Sequence, residues 1–171
     1  MAEIDKDLVV TDVYVVTGAS SNLGLELSKV LLKSGKKCIF IVRDKQGLKS
    51  LTDFDDKNFD IWEGDLEDET HIDEVCQRLT NYDRDIWSFI HIAAVSSEDD
   101  FDALNMCKTF IVNVFSGWQI AKTCVEKMGS FGGGRILFIG SIGHKFGGKI
   151  GKPGYSSSKY LLEYFPKYFR V

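Results

Sequence analysis

Tyr155 and Lys159 stand four residues apart in the run Tyr155-Ser156-Ser157-Ser158-Lys159. On a helix this spacing puts both side chains on one face, where an ammonium charge stabilises a phenolate and draws the tyrosine pKa toward a working pH. A phenol tuned in this way can act as general acid and base. Ser141 follows an apolar run and precedes a glycine-rich stretch. At the carboxyl end of a strand its hydroxyl can bond a substrate oxygen, since open α/β sheets take ligands at that edge. Far upstream lies a glycine-bearing segment, Thr17-Gly18-Ala19-Ser20-Ser21-Asn22-Leu23-Gly24. Glycines here permit a tight turn and close approach by a pyrophosphate, which free N–H groups and a helix dipole then favour. Each feature also has a plain reading: Tyr and Lys one turn apart often form a solvated helix face, and many glycine turns only reverse the chain.

These residues need elements to hold them. Val13 to Thr17 is short, apolar and rich in β-branched residues, and Leu23 to Leu32 repeats apolar residues at helical spacing, so the glycine segment joins a strand to a helix. Further strands are predicted at Lys37 to Val42, Asn58 to Asp65, Trp87 to Ala94 and Arg135 to Ile139. Helices are predicted at Asp44 to Leu51, Thr70 to Leu79, about Leu104 to Met128, and from near Tyr155 onward. Five apolar strands alternating with helices imply a doubly wound, parallel α/β sheet of Rossmann type in three layers, αβα. No repeat or linker divides the sequence, so a single domain is expected over residues 1–171. Ser156 to Val171 reads as a helix, with Tyr160, Tyr164 and Tyr168 one turn apart, that reaches the last residue without a glycine cap. A C-terminal continuation is therefore expected to be missing.

Composition narrows the classes of function. A formal charge of -4, from 21 Lys+Arg against 25 Asp+Glu, gives no electrostatic reason to expect nucleic acid or an anionic membrane as partner. Cys38, Cys76, Cys107 and Cys124 are widely spaced and form no C-x-x-C pair, which suits reduced, mostly buried thiols in the cytoplasm. No signal peptide or membrane span is legible, and the three histidines form no metal-ligand pattern with the acids, so no metal is expected.

Taken together, Asn113, Ser141, Tyr155 and Lys159 resemble the catalytic tetrad of the short-chain dehydrogenase/reductase family, in the family's chain order and on elements of matching type. The first turn resembles the family's T-G-x-x-x-G-x-G, with Asn22 at the middle glycine; asparagine tolerates positive φ, so the turn can survive. The resemblance implies that Tyr155 gives a proton to a carbonyl or takes one from an alcohol. Lys159 would tune it and hold the nicotinamide ribose, Ser141 would orient the reacting oxygen, and Asn113 would support a water linking Lys159 to solvent. Hydride comes from a nicotinamide cofactor. Its binding residues would be Gly18, Ser20, Ser21, Asn22, Leu23 and Gly24 in the turn, Arg43, then Asp65 and Leu66 at the adenine, Ala93 and Ala94 after the fourth strand, and Tyr155 with Lys159.

Cofactor choice is argued from Val42-Arg43: in the family an uncharged residue followed by Arg takes the NADP phosphate, where an Asp would take the ribose of NAD. NADP(H) is favoured and NAD(H) stays open, because Asp44 adds like charge and Arg43 can equally form a surface salt bridge. His91-Ile92-Ala93-Ala94 departs from the family's N-N-A-G and resembles the extended, sugar-nucleotide-modifying branch, although His91 also fits a core histidine on a buried strand. The basic loop from Gly143 to Gly154, with His144, Lys145 and Lys149, would wall the substrate pocket or stay solvated. The expected activity is hydride transfer between NADP(H) and a small-molecule carbonyl or secondary alcohol, in a cytoplasmic protein that can form a homo-oligomer through the tyrosine stripe. The alternatives are a sugar-nucleotide epimerase or dehydratase, and a non-catalytic dinucleotide- or protein-binding member.

Overall fold

The apolar strands are continuous because both faces of the sheet are covered. In β1 (Val13–Thr17), Val13 and Val15 face one core cluster and Val16 the other. The same alternation in β2 (Lys37–Val42) sends Ile39 and Ile41 one way and Cys38, Phe40 and Val42 the other. The computed structural model describes residues 13–99, 101–128, 133–143 and 151–164. With β3 (Phe59–Glu63), β4 (Ile86–His91) and β5 (Arg135–Phe138), the strands form one parallel sheet in the order β3-β2-β1-β4-β5. The doubly wound Rossmann-type α/β fold predicted from the alternation is the fold observed.

Helices α1 (Asn22–Lys33), α2 (Glu69–Thr80), α3 (Ala103–Phe110), α4 (Ser116–Glu126) and α5 (Pro153–Leu161) flank the sheet. Ser21, Asp68 and Asp102 cap the first three through side-chain oxygens that accept backbone N–H groups. Buried Ile72, Val75 and Leu79 form the apolar stripe of α2, as their spacing predicts. In the chain α2 packs on α4, α4 also on β4, and α3 on α5.

Four predictions need correction. The segment expected as a helix at Asp44 to Leu51 is a 3-10 helix (Lys45–Leu51), capped by Asp44. Strands β3 and β4 stop at Glu63 and His91, so 64–65 and 92–94 are free to line a cleft. The expected long helix is not uniform: a π-helical turn (Ile111–Phe115) joins α3 to α4. The last helix begins at Pro153, where a fixed φ and missing N–H suit a first turn, and ends at Leu161 rather than continuing. Residues 165–171, with Tyr168, lie outside the described residues, as do His144, Lys145 and Lys149.

Candidate active site

The chain leaves β1 at Gly18, whose φ of +70° lies in the left-handed region. Its N–H donates to the Ile41 carbonyl at 3.0 Å, which ties the turn to β2. A Cβ on Gly18 would stand 2.6 Å from the nitrogen and 2.7 Å from the Cα of Ala93, so the backbone after β4 lies against the turn where only glycine fits. Ser21 Oγ accepts from the Gly24 N–H at 3.1 Å and donates to the Gly18 carbonyl at 2.8 Å. Asn22 is the first residue of α1, and among the described residues only glycines have positive φ. The turn thus survives loss of its middle glycine by drawing Asn22 into the helix, not by using its tolerance of positive φ.

Outside the carboxyl ends of β1 to β4 lies a cleft of about 450 Å³. It sits where the strand order reverses, since the chain leaves β1 toward β2 and β3 and returns on the far side at β4. Gly18, Ser20, Ser21, Arg43, Asp65, Leu66, Ala93 and Ala94 all line it. Asn22, Leu23 and Gly24 do not; the first two are exposed on the opening turn of α1 and Gly24 is buried beneath it. Arg43 is exposed at the rim and has no hydrogen-bond or ion-pair partner among the described residues. The carboxylate of Asp44 accepts from the Gln46 N–H at 2.8 Å, and Lys45 pairs with Glu63 at 3.0 Å, so neighbouring charges are engaged elsewhere. Asp65 Oδ1 accepts from the Glu67 N–H at 3.0 Å, shaping the loop that carries Leu66. Sequence reasoning missed Val95 and Val112 in the lining, because they contribute backbone and apolar surface that no motif marks.

Beside this cleft, the π-helical turn presents buried Asn113. Its Oδ1 accepts from the Val95 N–H at 2.7 Å, and its Nδ2 donates to the Val95 carbonyl at 3.0 Å and to Ser158 Oγ at 2.9 Å. Ser158 Oγ donates in turn to the Tyr155 carbonyl at 2.7 Å. Asn113 therefore joins the cleft wall to the helix bearing Tyr155 and Lys159. Ser158 was missed; its signal was a hydroxyl three residues after Tyr155, the spacing for a bond back to the helix backbone.

Lys159 is only 1% exposed and its Nζ donates to the Ile139 carbonyl at 2.8 Å. The ammonium lies 5.9 Å from the centre of the half-buried Tyr155 ring. It has no carboxylate partner among the described residues, and burial pulls its pKa down to about 8. The solvated helix face is thereby excluded for Lys159. Ser141 lies two residues beyond Ile139, and its Oγ accepts from the Gly143 N–H at 3.1 Å. None of the four tetrad residues lines the 450 Å³ cleft itself; Asn113 reaches it through Val95, and Val112 lines it.

His91 is fully buried at the end of β4, with Nδ1 2.8 Å from Thr17 Oγ1 and Nε2 3.2 Å from the Val112 carbonyl. Desolvation first, and then the Lys159 charge, push its pKa down to about 3. In the unfolded chain the ring titrates near 6.5. The unfolded state therefore binds the extra proton first: stability from this group is complete above about pH 6.5 and drains away as pH falls toward 3. The expected contribution is a slope of up to about 1.4 kcal/mol per pH unit. Urea unfolding between about pH 6.5 and 5 should be steeper in pH for the wild type than for His91→Gln, and equal slopes would refute the assignment.

Among the described residues, no three His, Cys, Asp or Glu side chains are placed to hold a metal ion, and no helix is long and apolar enough to cross a membrane. All four cysteines are free; Cys38 and Cys124 are buried, and Cys107 is exposed.

A switch-point cleft beside a glycine turn, in a parallel doubly wound sheet, defines the Rossmann-type class. Within it, the chain belongs to the short-chain dehydrogenase family, whose model, described as short chain dehydrogenase, matches residues 12–170. It is 28% identical over 170 residues to the uncharacterized oxidoreductase YxnA of Bacillus subtilis (strain 168), covering 93% of this chain and 46% of that protein. It is also 28% identical over 169 residues to dehydrogenase/reductase SDR family protein 7-like of Drosophila melanogaster, covering 93% and 52%. The chain thus spans about half the length of these curated relatives. The fold is shared with a short-chain dehydrogenase from Streptomyces avermitilis (TM-score 0.80, 23% identity, 92% of this chain and 59% of that one). It is shared equally with a short-chain dehydrogenase from Sphingobium yanoikuyae in complex with NADPH (TM-score 0.81, 21% identity, 91% and 63%).

Proposed function

We propose that this chain is the single cofactor-binding and catalytic domain of an NADP(H)-dependent oxidoreductase that interconverts a carbonyl and a secondary alcohol. The observation that carries the reading is Lys159: a buried ammonium with no carboxylate partner among the described residues, beside a tyrosine ring and next to the cleft. Burying such a charge is costly, and the cost is typical of groups tuned for chemistry.

The residues present fit a dinucleotide. At Gly18 the turn has no side chain to obstruct a pyrophosphate, and Ser20, Ser21 and the opening N–H groups of α1 at Asn22 and Leu23 would receive its charge, the Gly24 N–H being held by Ser21 Oγ. Asp65 and Leu66 would hold the adenine, while Ala93 and Ala94 leave room along the fourth strand's end. Arg43, unpartnered at the rim, would take the 2′-phosphate by a bidentate contact. The bound cofactor supplies the hydride.

Tyr155 then exchanges the proton at the substrate oxygen, and the Lys159 ammonium favours the phenolate left behind while holding the nicotinamide ribose. Ser141 hydrogen-bonds and orients that oxygen. Asn113, fixed on Val95 and Ser158, keeps the helix of Tyr155 in register with the cleft wall, and in the family role carried over to it would also support a water leading to Lys159.

Fluorescence titration with NADPH and NADH tests the cofactor assignment. Arg43→Ala should weaken NADPH binding by roughly tenfold or more, the loss of about 1.4 kcal/mol or more from a charged phosphate contact, and leave NADH nearly unchanged. Equal weakening of both nucleotides would remove Arg43 from the phosphate site, and no binding of either would sink the reading.

A further inference from the structure

Thr17 and His91 are register partners at the ends of adjacent central strands. Neither side chain is accessible, yet both are polar, and the ring spends both nitrogens on specific partners. A carbonyl can only accept, so the Val112 bond puts the proton on Nε2 and leaves Nδ1 to accept from the Thr17 hydroxyl. The Thr17 oxygen also receives the Ala93 N–H at 3.4 Å, beside Gly18.

Val112 immediately precedes Asn113 in the π-helical turn. Within this turn the Ser116 N–H donates to the Ile111 carbonyl, five residues back, while the Val112 carbonyl accepts from Ser116 Oγ at 2.9 Å as well as from His91. The ring reaches this carbonyl because residue 117 has no side chain: a Cβ on Gly117 would stand 2.7 Å from two ring carbons. Phe138 closes the other side with its ring centre 5.7 Å away.

We propose that His91 is a positioning residue: it ties the glycine turn, through Thr17, to the π-helical turn that sets Asn113 and, through Ser158, the helix of Tyr155. The proposal rests on the oxidoreductase reading above, in which those residues carry the chemistry. His91 touches no reacting atom and acts only through the geometry of others.

NMR of 15N-labelled protein provides a first test that needs no turnover. The wild-type His91 ring should carry its proton on Nε2 and fail to titrate between about pH 5 and 8, well above its depressed pKa. In His91→Phe, which keeps an aromatic ring without either nitrogen, the Asn113 side-chain amide signals should shift or broaden. In the kinetic arm, kcat should fall by about 10–100-fold, the scale of a small misplacement of reacting groups, and the NADPH Kd should change much less than kcat. His91→Gln, able to accept from Thr17 and donate to Val112, should recover most of kcat. Adding Thr17→Val to His91→Phe should cost less than Thr17→Val costs alone, since the His91 bond is already gone and only the 3.4 Å Ala93 contact remains to lose. A proton on Nδ1, an Asn113 amide unaffected by His91→Phe, or a kcat loss explained by a lower folded fraction would each overturn the proposal. Absence of NADPH binding in the wild type would count against the oxidoreductase reading alone, because the NMR arm judges the bridge independently.

Discussion

Tyr155→Phe is expected to slow single-turnover hydride transfer by about 10²–10⁴-fold, the usual scale of a lost general acid/base. NADPH affinity should change far less, because the substitution removes one oxygen from a half-buried ring and leaves the residues that line the 450 Å³ cleft untouched. The separation of the two effects is the informative part. Lys159 is held on the Ile139 carbonyl independently of the Tyr155 hydroxyl, so in the variant its ammonium would stay in place with no phenolate to favour. Stopped-flow NADPH oxidation, run beside a fluorescence titration, measures both. A variant that retains the wild-type rate would move the proton-transfer role away from Tyr155.

Gly18→Ala should have the largest effect on both folding and binding. Two costs add: a Cβ at φ +70° is strained by about 1–2 kcal/mol, and it would stand 2.6 Å from the backbone nitrogen of Ala93. Backbone cannot rotate away as a side chain can, so relief requires the turn and the segment after β4 to part. The combined loss is expected at about 2–4 kcal/mol, read as a lower urea midpoint at unchanged m-value. Both displaced segments line the cleft, so NADPH binding should weaken even in the fraction that folds. Wild-type stability and affinity in this variant would mean that the turn is far more compliant than its packing implies.

The sheet was legible because parallel strands buried on both faces must be largely apolar, and β1 and β2 satisfy that condition except at Thr17, which ends the one, and Lys37, which opens the other. The 3-10 helix at Lys45–Leu51 was not. Its buried Leu48 and Leu51 fit either helix type at three-residue spacing, and tertiary packing decides: Gly47 lies so close to Ser20 that a Cβ there would meet the serine's at 2.6 Å. Helix α5 starts two residues before Tyr155, at Pro153, because a fixed φ and a missing N–H suit proline to a first helical turn. In the site, Tyr155, Lys159 and Asn113 were recognisable by type and order, whereas their supports were not. Val95 offers only backbone to Asn113, and the Val112 carbonyl that receives His91 leaves no mark in any side-chain pattern. The core reading of His91 did emerge from its buried strand; its two partners required the fold.

The π-helical turn at Ile111–Phe115 also acts on the angular phase of the chain. Each residue of an α-helix advances the side-chain direction by about 100°, so an inserted residue rotates everything after it by that amount relative to what came before. An uninterrupted helix could keep one stripe against one neighbour. With the phase reset in the middle, α3 faces α5, which bears Tyr155, while α4 faces α2 and β4, so the two halves serve different neighbours. Deleting one residue within 111–115 would heal the helix and restore a single phase, and could satisfy the first half or the second, but not both.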